Sequence, residues 1–108
     1  MSDSSELVIV ISTVETAADA ERLATTLVQQ RLAACVQIDG PIQSHYQWLG
    51  KLVRASEHRL MIKSSASVWP ALKAKLSEMH PYDEPEIIMV PISDASDGYR
   101  NWVIEFLS

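Results

Sequence analysis

The densest chemistry in the chain lies in His80-Pro81-Tyr82-Asp83-Glu84-Pro85-Glu86. Seven residues hold one imidazole, one phenol, three carboxylates and two prolines. Proline fixes φ and lacks an N–H, so the two prolines stiffen the stretch and stop helix and ladder within it. A stiff polar loop on a small scaffold can aim binding groups. An imidazole beside carboxylates is a mixed nitrogen and oxygen donor set of the kind that suits Cu(II) or Zn(II). His80 is therefore the leading single ligand candidate. The plainer reading of the same residues is a rigid helix-to-strand connector with solvated acids.

Other reactive side chains are scattered. His45 and His58 fall in segments that read as a ribbon and are expected at its surface. Cys35 sits among Ala33, Ala34 and Val36 and reads as a small core residue, although its soft sulfur would suit Cu(I) if accessible. Lys51 and Lys63 read as anion contacts or as solvated hairpin ends. Trp48 stands beside a turn, where a large ring is exposed unless a partner covers it. There is no Cys-x-x-Cys or His-Glu-x-x-His, and three glycines cannot build a phosphate loop. No nucleophile stands beside a recognisable base, so a binding protein is expected rather than an enzyme, with no organic cofactor.

The totals narrow the class. At 108 residues the chain is one domain, read over residues 1–108. The formal net charge is −5 and no basic cluster occurs, which argues against nucleic acid and anionic membrane as partners. A lone cysteine cannot form an internal disulfide and suits a reducing compartment. No apolar run reaches the roughly 20 residues of a spanning helix. Residues 1–5 carry no signal-peptide pattern, so a cytoplasmic location is expected.

These groups need elements to position them. Leu7-Val8-Ile9-Val10-Ile11 reads as a strand apolar on both faces. Thr16 and Asp19 give a helix-start spacing, and Ala20, Leu23, Ala24, Leu27 and Val28 follow at helical period. The helix is expected to end near Arg31. Ala33–Ile38 reads as extended, Asp39-Gly40-Pro41 as a bulge or turn, and Gln43–Trp48 as extended again. Leu49-Gly50 marks a reversal, with a third strand over residues 51–63. A helix is expected from near Ser67, since Pro70 belongs in a first turn. A fourth strand spans Ile87–Val90, held to an edge by Pro91. A last helix starts near Asp97, with Tyr99, Trp102, Val103 and Phe106 as a packing stripe.

The order βαββαβ plus a helix predicts an α+β, ferredoxin-like split-βαβ sandwich with a long hairpin between its second and third strands. Two helices cover one sheet face only. Apolar residues left on the other face would each forgo roughly 1.5–3 kcal/mol of burial. That face is expected to be covered by the terminal helix, by neighbouring subunits, or by both, and the long hairpin edge also invites pairing. An oligomer is the expectation.

Five motifs taken together resemble one family. They are Arg31-Leu32-Ala33-Ala34-Cys35-Val36, Tyr46-x-Trp48-x-Gly50-Lys51, Ile62-Lys63, His80-Pro81-Tyr82-x-x-Pro85-Glu86-Ile87 and Tyr99-x-x-Trp102. Their order and spacing from Val8 to about Leu107 resemble the CutA divalent-cation tolerance family. The resemblance implies a ferredoxin-like fold built into a homotrimer through its hairpins, and a role in tolerance of copper and other divalent ions. It implies His80 as a metal-site position, with Asp83 or Glu86 as oxygen ligands. Met79 and Ser12 stand where some members carry a second histidine and a cysteine, which removes two strong copper donors. Cys35, Trp48, Lys51, Lys63, Tyr82 and Glu86 match positions that line a cleft between subunits. The trimer is also similar in shape to PII signalling proteins. The alternative expectation is thus an adaptor trimer that takes a small anion or a partner through Lys51, Lys63, Tyr82 and Trp48.

Overall fold

The computed structural model describes residues 6–108, so the reading of residues 1–5 lies outside the described residues. The chain forms β1 (Leu7–Val14), α1 (Ala17–Gln29), β2 (Cys35–Trp48), β3 (Lys51–Ser65), α2 (Trp69–Met79), β4 (Ile88–Pro91) and α3 (Asp97–Leu107). The strands make one sheet in the order β2-β3-β1-β4, with every neighbouring pair antiparallel. This is the ferredoxin-like split-βαβ arrangement. β4 is an edge strand, as Pro91 requires.

Local chemistry sets the element ends. Thr16 Oγ1 accepts from the Asp19 N–H at 3.1 Å and caps α1. The other end of α1 closes in a Schellman motif: Leu32 N–H reaches Leu27 O at 2.9 Å and Arg31 N–H reaches Val28 O at 3.0 Å. Arg31 takes the left-handed position at φ 58° that glycine usually fills. Its guanidinium compensates by donating to Phe106 O at 2.7 Å and lying over the Phe106 ring, which ties α1 to α3. α2 starts close to Ser67 with Pro70 in its first turn, as expected. Val68 rather than Ser67 precedes the helix, with no side-chain cap bond, while the Ser65 and Ser67 hydroxyls bond to each other.

β2 and β3 form a ribbon that stretches the molecule to 47 × 25 × 22 Å. Leu49 and Gly50 turn it with φ of 53° and 77°, the pair of positive values a two-residue hairpin needs. The register shifts between Asp39 and Ile42, so the expected bulge is present. Gly40 sits in it at φ 150°. A Cβ there would stand 3.0 Å from Glu57 O and from two atoms of His58.

The sheet has two unlike faces. Val8, Val10, Val14, Leu60 and Ile62 pack under α1 and α2 with Leu23, Leu27, Leu72 and Leu76 in the main core. On the opposite face α3 covers less than expected. Val103 is buried against Leu7 and Ala34, but Tyr99 and Trp102 remain exposed and stack on each other at 5.9 Å. The packing role expected for the whole stripe thus falls to Val103, with Phe106 partly buried beside it. The register places Ile9, Ile11, Met61, Ile88 and Val90 on this same face. Ile88 and Val90 are 48% and 44% exposed.

Replacing Gly40 with Ala forces both a disfavoured φ and a close backbone contact. Gly40→Ala should destabilise the fold by about 1–3 kcal/mol. Urea unfolding of the two proteins measures this, and an unchanged midpoint would show that the bulge tolerates a side chain.

Candidate functional site

His80 follows α2 directly. Its N–H still bonds Leu76 O, but its φ and ψ of −66° and 135° are extended because Pro81 follows. The side chain turns inward and is only 7% exposed. Nδ1 accepts the Tyr82 backbone N–H at 3.1 Å. That nitrogen therefore carries no proton, and the ring proton sits on Nε2. From there it is donated to Thr13 O at 2.9 Å, with Ser12 Oγ at 3.1 Å. Burial holds the imidazole below its ordinary pKa of 6.5, against the opposing pull of the Thr13 carbonyl. Asp19 and Glu57 also favour the charged form, and Arg22 opposes it. The neutral ring links the end of β1 to the loop after α2.

Tyr82 carries the connection onward. Its ring meets the His80 ring edge-on at 4.9 Å. Its hydroxyl donates to Glu57 Oε2 at 2.8 Å. Burial first, then the bond to the Glu57 carboxylate, pushes the phenol well above its usual pKa, so it stays a donor. Glu57 lies on β3 and is 7% exposed. Among the described residues no cation stands within ion-pair distance of it, and Oε1 has no hydrogen-bond donor.

The loop and the ribbon enclose a cleft of about 610 Å³. Tyr46, Trp48 and Tyr82 give it aromatic walls, and Glu57, Asp83, Glu84 and Glu86 give it four carboxylates. Thr13, Ser44 and His45 complete the lining, which contains no lysine or arginine. Arg59 has its guanidinium committed to Asp39 through bonds of 3.2 and 2.7 Å. Carboxylates without a counter-charge focus a negative potential into a cleft.

The structure brings together only part of the expected set. Asp83, Glu86, Tyr82 and Trp48 share the cleft. His80 does not line it, and a ligand role for His80 would require giving up the Tyr82 or the Thr13 bond. Lys63 lies elsewhere, donating to Gln37 Oε1 at 2.8 Å, and Lys51 is exposed at the ribbon tip. Cys35 is half-buried on the sheet face away from α1 and α2 rather than in the main core. His58 is half-buried, with Nδ1 buried and unbonded. Thr13, Ser44, His45, Tyr46 and Glu57 line the cleft without having been expected there, and Glu84 was expected only as part of the loop. His45 was expected at the ribbon surface, and it is exposed there.

The family's implied metal can be tested against these residues. Among the described residues no three of His, Cys, Asp and Glu converge closely enough to hold a metal ion. A single chain therefore offers an acidic cleft and not a formed coordination shell.

The fold and cleft define a class: a small ferredoxin-like α+β domain with a projecting ribbon and an acidic, aromatic-walled cleft at the ribbon's side. Residues 8–105 match the family model described as CutA1 divalent ion tolerance protein, and the chain belongs to that family. It is 40% identical over 98 residues to the divalent-cation tolerance protein CutA of Pectobacterium atrosepticum, covering 91% of this chain and 89% of that one. It is 37% identical over 97 residues to the corresponding protein of Thermus thermophilus, covering 90% and 94%. The crystal structure of CutA from Xylella fastidiosa superposes with a TM-score of 0.93 at 34% identity, covering 99% of this chain and 100% of that one. The family is described by ion tolerance, not by a reaction. No helix among the described residues is long and apolar enough to cross a membrane.

The His80 geometry has a pH consequence. The unfolded chain protonates this imidazole near 6.5, whereas the folded chain resists until a lower pH. Between those two values the unfolded state binds more protons, so His80's contribution is complete above about pH 6.5 and is lost as pH falls toward the lower one. Urea midpoints measured from about pH 7.5 down to about pH 5 should fall, and His80→Gln should flatten that part of the slope. An identical slope in the variant would assign the dependence to other groups.

Proposed function

We propose that this protein binds divalent cations in the cleft between the ribbon and the His80–Glu86 loop, and acts in divalent-ion homeostasis by binding rather than by catalysis. One observation carries the reading: four carboxylates, Glu57, Asp83, Glu84 and Glu86, line one cleft whose lining holds no lysine or arginine. Asp83 and Glu86 supply further oxygens, and His45 is the nitrogen donor in the lining. Oxygen ligands with one imidazole suit Cu(II) or Zn(II). His80 is then a positioning residue, which sets the loop through Tyr82. An anion in this cleft would face four carboxylates, which disfavours the adaptor alternative.

The working unit in this proposal is a homotrimer in the cytoplasm. The apolar face bearing Ile9, Ile11, Met61, Ile88 and Val90 supports self-association, because α3 leaves it open. The lone cysteine, with no disulfide, supports a reducing compartment.

Two measurements test this. Calorimetric titration of Zn(II) should give saturable binding at about one ion per chain, weakened roughly tenfold or more by Glu57→Gln, about 1.4 kcal/mol. Equal affinity in the variant would remove Glu57 from the site. Sedimentation equilibrium should return three chains per particle, and Ile11→Asp should shift the population to smaller species. A monomeric parent protein would contradict the trimer.

A further inference from the structure

Tyr82 makes the hydrogen bonds that tie residues 81–86 to the rest of the chain. Its backbone N–H donates to His80 Nδ1 at 3.1 Å, and its hydroxyl donates to Glu57 Oε2 at 2.8 Å. The first bond can exist in only one charge state of the ring. A neutral imidazole with its proton on Nε2 offers Nδ1 as an acceptor, whereas a charged one carries protons on both nitrogens and offers none. Protonation sets the Nδ1 donor against the Tyr82 N–H donor. Flipping the ring does not help, since both nitrogens then donate. The ring is 7% exposed, with Nε2 tied to Thr13 O at 2.9 Å and near Ser12 Oγ at 3.1 Å. Pro81, whose φ is fixed, lies between the ring and the amide and leaves little backbone adjustment.

A charge at this position is also poorly served. From β1 the ring meets the Ser12 hydroxyl and the Thr13 carbonyl, and from the loop the Tyr82 ring. α2 contributes the Met79 carbonyl, to which Arg22 donates at 3.4 Å. The charged groups that act on the ring are Asp19 and Arg22 on α1 and Glu57 on β3. Asp19 already pairs with Arg22 at 3.5 Å, and Glu57 already accepts from Tyr82. Among the described residues no carboxylate lies within ion-pair distance of the imidazole. Burial outweighs the pull of the two carboxylates, so a proton on Nδ1 favours an arrangement in which the ring reaches water.

We propose that His80 is a proton-operated latch for the residue 81–86 loop: the neutral ring holds the loop down through the Tyr82 N–H, and protonation at Nδ1 releases it. The rest of the fold does not need the latch. The core under α1 and α2 is apolar and does not include His80. β4 begins beyond the loop, at Ile88, and is held by its own ladder to β1. Asp83, Glu84 and Glu86 ride on the loop, so its release carries them away from the ribbon. The bonds of the latch are all made within one chain. They depend neither on whether the cleft takes a cation nor on what covers it.

The test is NMR of the full-length protein, following histidine ring nitrogens and backbone amides from about pH 7.5 down to about pH 4.5. At the upper end the His80 ring should carry its proton on Nε2. As pH falls, the ring should titrate below the ordinary imidazole range. The amides of Tyr82, Asp83, Glu84 and Glu86 should move with the same midpoint, while those of α3 keep their native positions. Protection of the Tyr82 amide against hydrogen exchange should drop about tenfold or more across that step. In His80→Asn the side-chain oxygen can accept the Tyr82 N–H and does not titrate. The shared step should vanish there, leaving only the titration of the loop's own carboxyls. Three results overturn the latch: a ring that titrates while the loop amides stay in place, the same loop step in His80→Asn, or loss of the α3 signals at the ring's midpoint, which would make His80 a support of the whole fold. If His80→Asn does not fold, the coincidence or separation of the ring and loop midpoints in the parent protein decides alone.

Discussion

The structure around the site depends on a short relay of hydrogen bonds. It runs from the Thr13 carbonyl to the His80 ring, through the Tyr82 backbone and ring, and ends on the Glu57 carboxylate. Each step fixes the next. The imidazole must be neutral, because Nδ1 has to accept while Nε2 donates. Its burial under the loop keeps it so. The relay ties the end of β1, the start of the loop and the middle of β3 into one unit, although Tyr82 and Glu57 are 25 residues apart. Pro81 and Pro85 remove the backbone freedom that would otherwise compete with it. The loop thus has a built arrangement, and the cleft beside it has a stable shape.

That arrangement leaves a charge imbalance. The four carboxylates in the lining are matched by no basic side chain there, and the nearby Arg59 is occupied by Asp39. A similar imbalance exists for burial. The sheet face with Ile9, Ile11, Ile88 and Val90 remains partly open while the opposite face is closed by two helices. Both features are incomplete within one chain. A cation would settle the first and further copies of the chain the second, in keeping with a binding protein that works as an assembly.

Most of the fold was legible in the sequence. The five motifs and the periodicities of the two main helices placed every element within a few residues, and Gly40 with Pro41 marked the bulge. Short-range chemistry decides these features, so local residue types reveal them. The site was legible only in part. The composition of residues 80–86 pointed to the right loop, but not to the direction of the His80 side chain. That direction depends on an acceptor on β1, 67 residues away. Glu57 was overlooked because its burial comes from the loop folding back over the ribbon, which no local pattern records. Lys63 and Lys51 shared a motif region with cleft residues, but Lys63 lies further along β3, where it bonds Gln37, and Lys51 lies at the ribbon tip. Tyr99 and Trp102 read as core because helical spacing identifies a face without showing what covers it.

The central claim is that a cation enters the cleft at Glu57. The most direct measurement is chemical-shift mapping of the full-length protein during Zn(II) titration, with the side-chain carboxyl carbons resolved. The account predicts that the Glu57 carboxyl resonance and the backbone amides of residues 82–86 move together and saturate, while the amides of α1 stay in place. Saturable shifts confined to the face around Cys35 and Lys63, with Glu57 unmoved, would contradict it.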